Sequence, residues 1–129
     1  MRIINISKDL NLNETLLSKF VNFCCDRLCL NNDVTINLVS KRKPFRIKTT
    51  AHYNISDDEC TIYCKHRAHV DICRSIAHEL VHMMQNYQGL LDSDIPDIGG
   101  FHEDQANAVA GQLIKMFAQK TKEGGSIYE

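Results

Sequence analysis

No run of apolar residues approaches the roughly 18 that a helix needs to cross a bilayer, so the sequence carries no transmembrane signal. The opening Met1-Arg2-Ile3-Ile4-Asn5 lacks the length of a secretory hydrophobic region. Excess charge is missing too: 15 basic against 16 acidic residues leave a net charge of −1, which removes the electrostatic case for nucleic acid or an anionic membrane as partner. The short basic run Lys41-Arg42-Lys43 reads as a solvated hairpin tip rather than a phosphate site. Among the 6 cysteines there is no paired Cys-x-x-Cys cluster of the kind that marks a structural zinc site. Cys24, Cys25 and Cys29 fall in one helical segment, Cys60 and Cys64 on one face of a strand, and Cys73 a few residues ahead of His78. With no export signal beside them, they are expected as reduced thiols that act as small buried hydrophobes. At 129 residues the chain is long enough for one domain, 1–129, with a real core. The expectation is a soluble, cytoplasmic protein.

What is present centres on His78-Glu79-Leu80-Val81-His82, an HExxH pattern. Around it Ile72, Ile76, Leu80, Met83, Met84 and Tyr87 recur at helical spacing, which no strand alternation reproduces. At roughly 100° per residue the apolar stripe centres about 140° from His78 and His82, so the histidines turn away from the core. Histidines four apart project from neighbouring turns of one face and can converge on one ion, with Glu79 beside them to reach its bound water. Asp71 is the expected N-cap of this helix and Gly89 its C′ residue.

A second periodic segment follows, in which Ala106, Val109, Ala110, Leu113, Ile114 and Phe117 repeat at helical spacing. Glu103 falls in its first turn, near the face turned toward the protein, where a carboxylate needs a partner. A catalytic zinc takes three protein ligands and one open position, and two His with one Glu is a standard set. With Glu103-Asp104-Gln105-Ala106-Asn107 following HExxH on the next helix, the chain resembles the gluzincins, and in size and element order the minimal gluzincins and compact ImmA/IrrE-type peptidases. The resemblance implies Zn²⁺ held by His78, His82 and Glu103, with Glu79 as general base. It also implies Asn107 as a partner orienting a ligand histidine, in place of the Asp that is commoner there. Gln105 stands where several ImmA/IrrE-type sequences have a second acid. His102 and Asp104 are the substitutes for Glu103 as third ligand.

The rest of the chain supplies scaffold. Ile3, Ile4 and Ile6 suit a brief strand or a packing arm, and Leu16, Leu17, Phe20, Val21, Cys24 and Leu28 predict an amphipathic helix from Asn13 to the turn Asn31-Asn32-Asp33. Alternation over Val34–Val39, over Phe45 to Tyr53 and over Thr61–Cys64, with turns at Lys41–Pro44 and Asn54–Glu59, predicts a three-stranded antiparallel meander. The expected fold is therefore α+β: a helix, three antiparallel strands, the HExxH helix and a glutamate-ligand helix, as in a small zincin-like domain.

In that resemblance, substrate lies extended against the strand before HExxH, here Cys60 to Lys65, unless Lys65, His66 and Arg67 merely blunt an edge. The loop Leu90 to Gly100, carrying Asp92, Asp94, Asp97 and Pro96, would border the cleft or merely connect the helices. Tyr53, Tyr63 and Tyr87 are oxyanion-donor candidates or plain half-buried tyrosines, and His52, His66 and His69 read as surface residues. The expected activity is zinc-dependent hydrolysis of peptide bonds in a protein or peptide substrate, and the likeness to ImmA/IrrE-type enzymes implies a regulatory cut in one partner. The alternative is a catalytically inactive zincin-fold module that binds another protein, against which the retained Glu79 argues.

Overall fold

A computed structural model describes residues 1–42, 50–89, 101–121 and 124–128. In chain order the elements are β1 (Arg2–Ile6), α1 (Glu14–Arg27), β2 (Val34–Val39), β3 (Ala51–Asn54), β4 (Glu59–Tyr63), α2 (His69–Tyr87), α3 (Phe101–Lys120) and a 3₁₀ turn, Gly124–Tyr128. The expected stretch Phe45 to Thr49, the tip residues Lys43 and Pro44, and the loop Leu90 to Gly100 lie outside the described residues.

Helix α1 starts where the sequence predicts, because the Asn13 side chain accepts the Leu16 amide at 3.1 Å and satisfies one of the helix's open N–H groups. It stops at Cys29, which takes a left-handed φ of 57° and lets the Leu30 amide reach back to the Cys25 carbonyl at 2.9 Å. Helix α2 begins earlier than expected. Ala68, with no side-chain cap, precedes its first turn, and Asp71 lies inside that turn, where its charge meets the positive helix end instead of capping it. Gly89 (φ 73°) ends the helix as the glycine signal implies.

The sheet corrects the expected three-stranded antiparallel meander. Four strands, in the order β1-β2-β4-β3, form a mixed sheet in which β1 and β4 both run parallel to β2 and only β3 is antiparallel, to β4. Directions do alternate from β2 through β3 to β4, but β4 inserts between the other two. The reason is the connections. The short turn Ile55–Asp58, with Asp58 at φ 56°, forces β4 beside β3, whereas the longer link from Ser40 to Thr50 leaves β3 free to take the outer place. Strand β1 joins through a helical crossover, as parallel neighbours require.

The resulting register stacks apolar residues in rows across one face, Ile4-Ile36-Cys60-Tyr53 and Ile6-Leu38-Ile62-Ala51. The opposite face carries Asn5, Asn37, Thr61 and His52, with Asn5 donating to Asn37 at 2.9 Å. Among the described residues the helices cover the apolar face. Leu17, Phe20, Ile72, Ile76, Leu80, Leu113 and Phe117 join Ile36, Leu38 and Ile62 in one core cluster. Phe117 meets Phe20 edge-on with ring centroids 5.1 Å apart, which ties α3 to α1. No described helix is long and apolar enough to cross a membrane.

All six cysteines are free thiols, as the sequence implies, and only Cys29 is exposed. Burial pushes the Cys25 thiol up to about 11 and those of Cys64 and Cys73 to about 12, with Cys24 and Cys60 moved in the same direction. A thiol-reactive reagent at neutral pH is expected to label Cys29 alone in the folded, unreduced protein and all six cysteines after denaturation. Mass spectrometry of the labelled chain checks this, and two or fewer labels after denaturation would mean disulfides.

Candidate metal centre

On α2 the residues Asp71, Arg74, Ser75, His78, His82 and Gln85 lie within about 60° of one line along the helix, at roughly 100° per residue. This polar line faces the first turn of α3, while Ile72, Ile76 and Leu80 on the other side face the sheet. Ala106 and Ala110 of α3 are fully buried, and their small side chains let the two helices approach closely. Glu103, one turn before Ala106, is thereby brought onto the α2 line.

Three donor groups converge there. The Nε2 atoms of His78 and His82 are 3.2 Å apart, and the Glu103 carboxylate is 2.7 Å from the first and 3.0 Å from the second. Glu79 is buried at 3 % exposure, and His78, Glu79 and His82 offer ligand atoms all within 4.8 Å of one another, a group that can hold a metal ion. Glu103, not His102 or Asp104, is the α3 acid in contact with both histidines among the described residues. His102 instead contributes its carbonyl to the site's support, and Asp104 is exposed.

The tautomer of His82 follows from its surroundings. Gln85, fully buried, donates from its side-chain nitrogen to the His102 carbonyl at 3.0 Å and to Gln105 Oε1 at 2.7 Å. A backbone carbonyl only accepts, so the amide oxygen of Gln85 must face His82 Nδ1, 2.8 Å away, and that nitrogen carries the proton. In the neutral ring Nε2 is then a lone pair aimed at His78 and Glu103, which suits a ligand. Sequence reading missed Gln85, although its place on the polar line, three residues past His82, was a usable signal. Gln105 closes this network from α3.

His78 is held by the Glu103 carboxylate and by a side-chain hydrogen bond with Asn107. Burial pulls its pKa below the ordinary imidazole value of 6.5, against the opposing pull of Glu103. The ring is thus kept neutral, the state a metal requires.

A cavity of about 400 Å³ opens beside these groups, with His78, Glu79 and Glu103 on one wall and Thr50 and Ala51 of the sheet edge on another. The candidate strand Cys60 to Lys65 is not at that edge: β4 is bonded on both sides, to β2 and β3, so it has no ladder to offer a peptide. The tyrosines are also elsewhere. Tyr53 donates to Asp58 at 2.6 Å and Tyr87 donates to the other oxygen of the same carboxylate, so both phenols clamp the β3–β4 turn to the end of α2. Burial, reinforced by that carboxylate, raises the pKa of each. Tyr63 packs under the Arg42 guanidinium, 4.7 Å from its ring centre. His69 accepts the Asn13 amide at 3.0 Å, and His52 and His66 are exposed.

Comparison with protein-family models, curated proteins and solved structures finds no match for this chain.

Two outcomes are expected from this geometry. Replacing Gln85 by leucine keeps the volume but strips His82 Nδ1 of its acceptor, so metal affinity should fall about 10- to 100-fold, measured by competition with a chelating dye. The second concerns acid. Because His78's folded pKa lies below its unfolded value, the unfolded chain binds the proton first, and stability present above about 6.5 is lost as the pH falls through that range. Thermal melts of metal-free protein should show a midpoint that drops between pH 7 and pH 5, and His78→Gln should flatten the drop.

Proposed function

We propose that the protein is a zinc-dependent peptidase of gluzincin type, in which His78, His82 and Glu103 hold the metal and Glu79 is the general base. One observation carries the reading: two imidazole nitrogens and a carboxylate from separate helices converge within 3.2 Å, with a buried Glu79 beside them. Donor atoms about 2.1 Å from a tetrahedral zinc stand about 3.4 Å apart, close to this spacing. A set of two His and one Glu is borderline in softness and suits Zn²⁺ better than Mg²⁺ or Ca²⁺, which prefer oxygen alone.

Zinc so held supplies a Lewis acid that polarises a carbonyl and brings the acidity of water toward neutrality. The protein's own groups do the rest. Glu79 takes the proton as water adds to the scissile carbonyl carbon, and returns it to the amine nitrogen as the C–N bond breaks. Gln85 and Asn107 hold the two rings in orientation, so the donors need no rearrangement during the reaction. A peptide in extended form runs along β3, outermost in the described sheet, whose Ala51 borders the cavity. Such pairing uses backbone groups and asks little of the substrate's side chains. Free thiols and the lack of a described membrane-spanning helix support a cytoplasmic setting for this zincin-like domain.

Metal analysis is expected to give one zinc per chain, lost in His82→Ala and more readily chelated in Glu103→Ala. Glu79→Gln should keep the zinc yet slow cleavage by about 10²- to 10⁴-fold. A proteome-derived peptide mixture, with mass-spectrometric mapping of new termini, provides the assay. Equal cleavage by wild type and Glu79→Gln would discard the mechanism, and a zinc-loaded wild type that generates no new termini would favour the protein-binding module.

A further inference from the structure

The cavity beside the histidines has a second wall of opposite character. Ahead of His78 it is lined by Arg74 and Ser75, about one turn away on α2, and by Arg67, just before α2 begins. Arg67 is half-buried and held rigidly: Nη1 donates to the Tyr63 carbonyl at 2.8 Å, and Nη2 donates to the Asp71 carbonyl at 3.0 Å and the Ser75 hydroxyl at 2.8 Å. These three hydrogen-bond acceptors are all uncharged. The nearby Asp71 carboxylate is engaged instead by Arg74, with Nη1 at 3.1 Å from Oδ1. Two guanidinium groups thus face one carboxylate on this wall, a local excess of one positive charge, while the cavity's other carboxylates, Glu79 and Glu103, stand on the wall with His78.

A partly desolvated cation with neutral partners is costly, and a bound anion relieves that cost. Burial already moves Arg67 below the usual guanidinium range, in the direction that marks such a cost. Ser75 accepts from Arg67 and keeps its own hydroxyl hydrogen to donate into the cavity. The wall therefore presents planar guanidinium donors and a hydroxyl donor, and its single net charge matches a carboxylate better than a phosphate dianion.

We propose that Arg67 and Arg74 form a carboxylate subsite, so that the peptide presented to His78, His82 and Glu103 bears an acidic side chain or a free C-terminal carboxylate. The proposal rests on the peptidase reading and names the substrate class. Position along the chain follows from helix geometry. Arg74 is four residues from His78, about 6 Å of rise, and an extended peptide covers that in about two residues at about 3.3 Å each. The carboxylate therefore lies within two residues of the bond presented to the metal ligands.

The test is binding by the full chain, freed of metal so that no carboxylate can coordinate zinc. Three terminally defined tripeptides serve as probes: acetyl-Ala-Glu-Ala-amide, acetyl-Ala-Gln-Ala-amide and acetyl-Ala-Gln-Ala with a free carboxyl end. Nitrogen-15 NMR of the arginine Nε–H groups is the readout. The two acidic probes should shift the Arg67 and Arg74 signals with a salt-sensitive affinity, the neutral amide should not, and the stronger acidic probe identifies which carboxylate the site takes. Arg74→Ala should weaken acidic-probe binding about ten-fold, while Arg74→Lys keeps part of it. Because Arg67 also staples β4 to α2, the exposed Arg74 is the deciding position. Equal binding of the neutral amide, or unchanged binding by Arg74→Ala, overturns the subsite. Metal-free binding makes this independent of zinc: a subsite that binds acid in a chain that takes up no zinc would refute the peptidase reading alone, and zinc-dependent cleavage with no acidic preference would refute the subsite alone.

Discussion

Two imidazole nitrogens and a carboxylate lie within 3.2 Å of one another, and the fold has to hold them there. Two come from one helix and keep their spacing by helical geometry, since His78 and His82 are one turn apart. The third, Glu103, comes from another helix, so the packing of α2 on α3 sets the site. The buried Ala106 and Ala110 allow the close approach, and Gln85 bolts the two helices together by donating to the His102 carbonyl and Gln105 while its oxygen holds His82. Site geometry and interhelical packing are therefore one constraint.

That constraint reaches outward to the sheet. Helix α2 follows β4 directly, so wherever β4 sits, the histidines follow. In the interior of the sheet β4 is bonded on both sides, which gives α2 a rigid base and leaves Ala51 of β3, with Thr50 just before it, to form the cavity's other wall. Arg67 stiffens the joint, since it bonds both the last residue of β4 and the first turns of α2. At the other end of α2, Asp58 between Tyr53 and Tyr87 ties the β3–β4 turn down. Both ends of the helix that carries His78, Glu79 and His82 are thus anchored to the same hairpin, a placement that favours preorganised ligands over ones that must be gathered by the ion.

Much of this was legible in the residues themselves, because helical spacing is a local property. The α1, α2 and α3 segments, the burial of Ile72, Ile76 and Leu80 and the shared face of His78 and His82 follow from periods of 3.6 in a one-dimensional pattern, whereas Glu103 was named as their partner through the resemblance and reaches them by the packing of α3 on α2. Gln85 and Arg74 lie on the same polar line and were available to the same reading. Asp71 misled as a cap because a favourable residue near a helix start marks the region without fixing the turn.

What the sequence by itself determined was which side chains share a face; what only the tertiary structure decided was which faces and edges meet. Alternation in Val34–Val39 and Thr61–Cys64 identifies strands but holds no information on neighbours, since an apolar face satisfies a parallel or an antiparallel partner equally. The exchange of β3 and β4, the recruitment of β1, the His82 tautomer set through Gln85 and a neutral-partnered Arg67 beside the site all depend on contacts between residues far apart in the chain. Such contacts are chosen by loop lengths and by the packing of the whole core, and no local period encodes them.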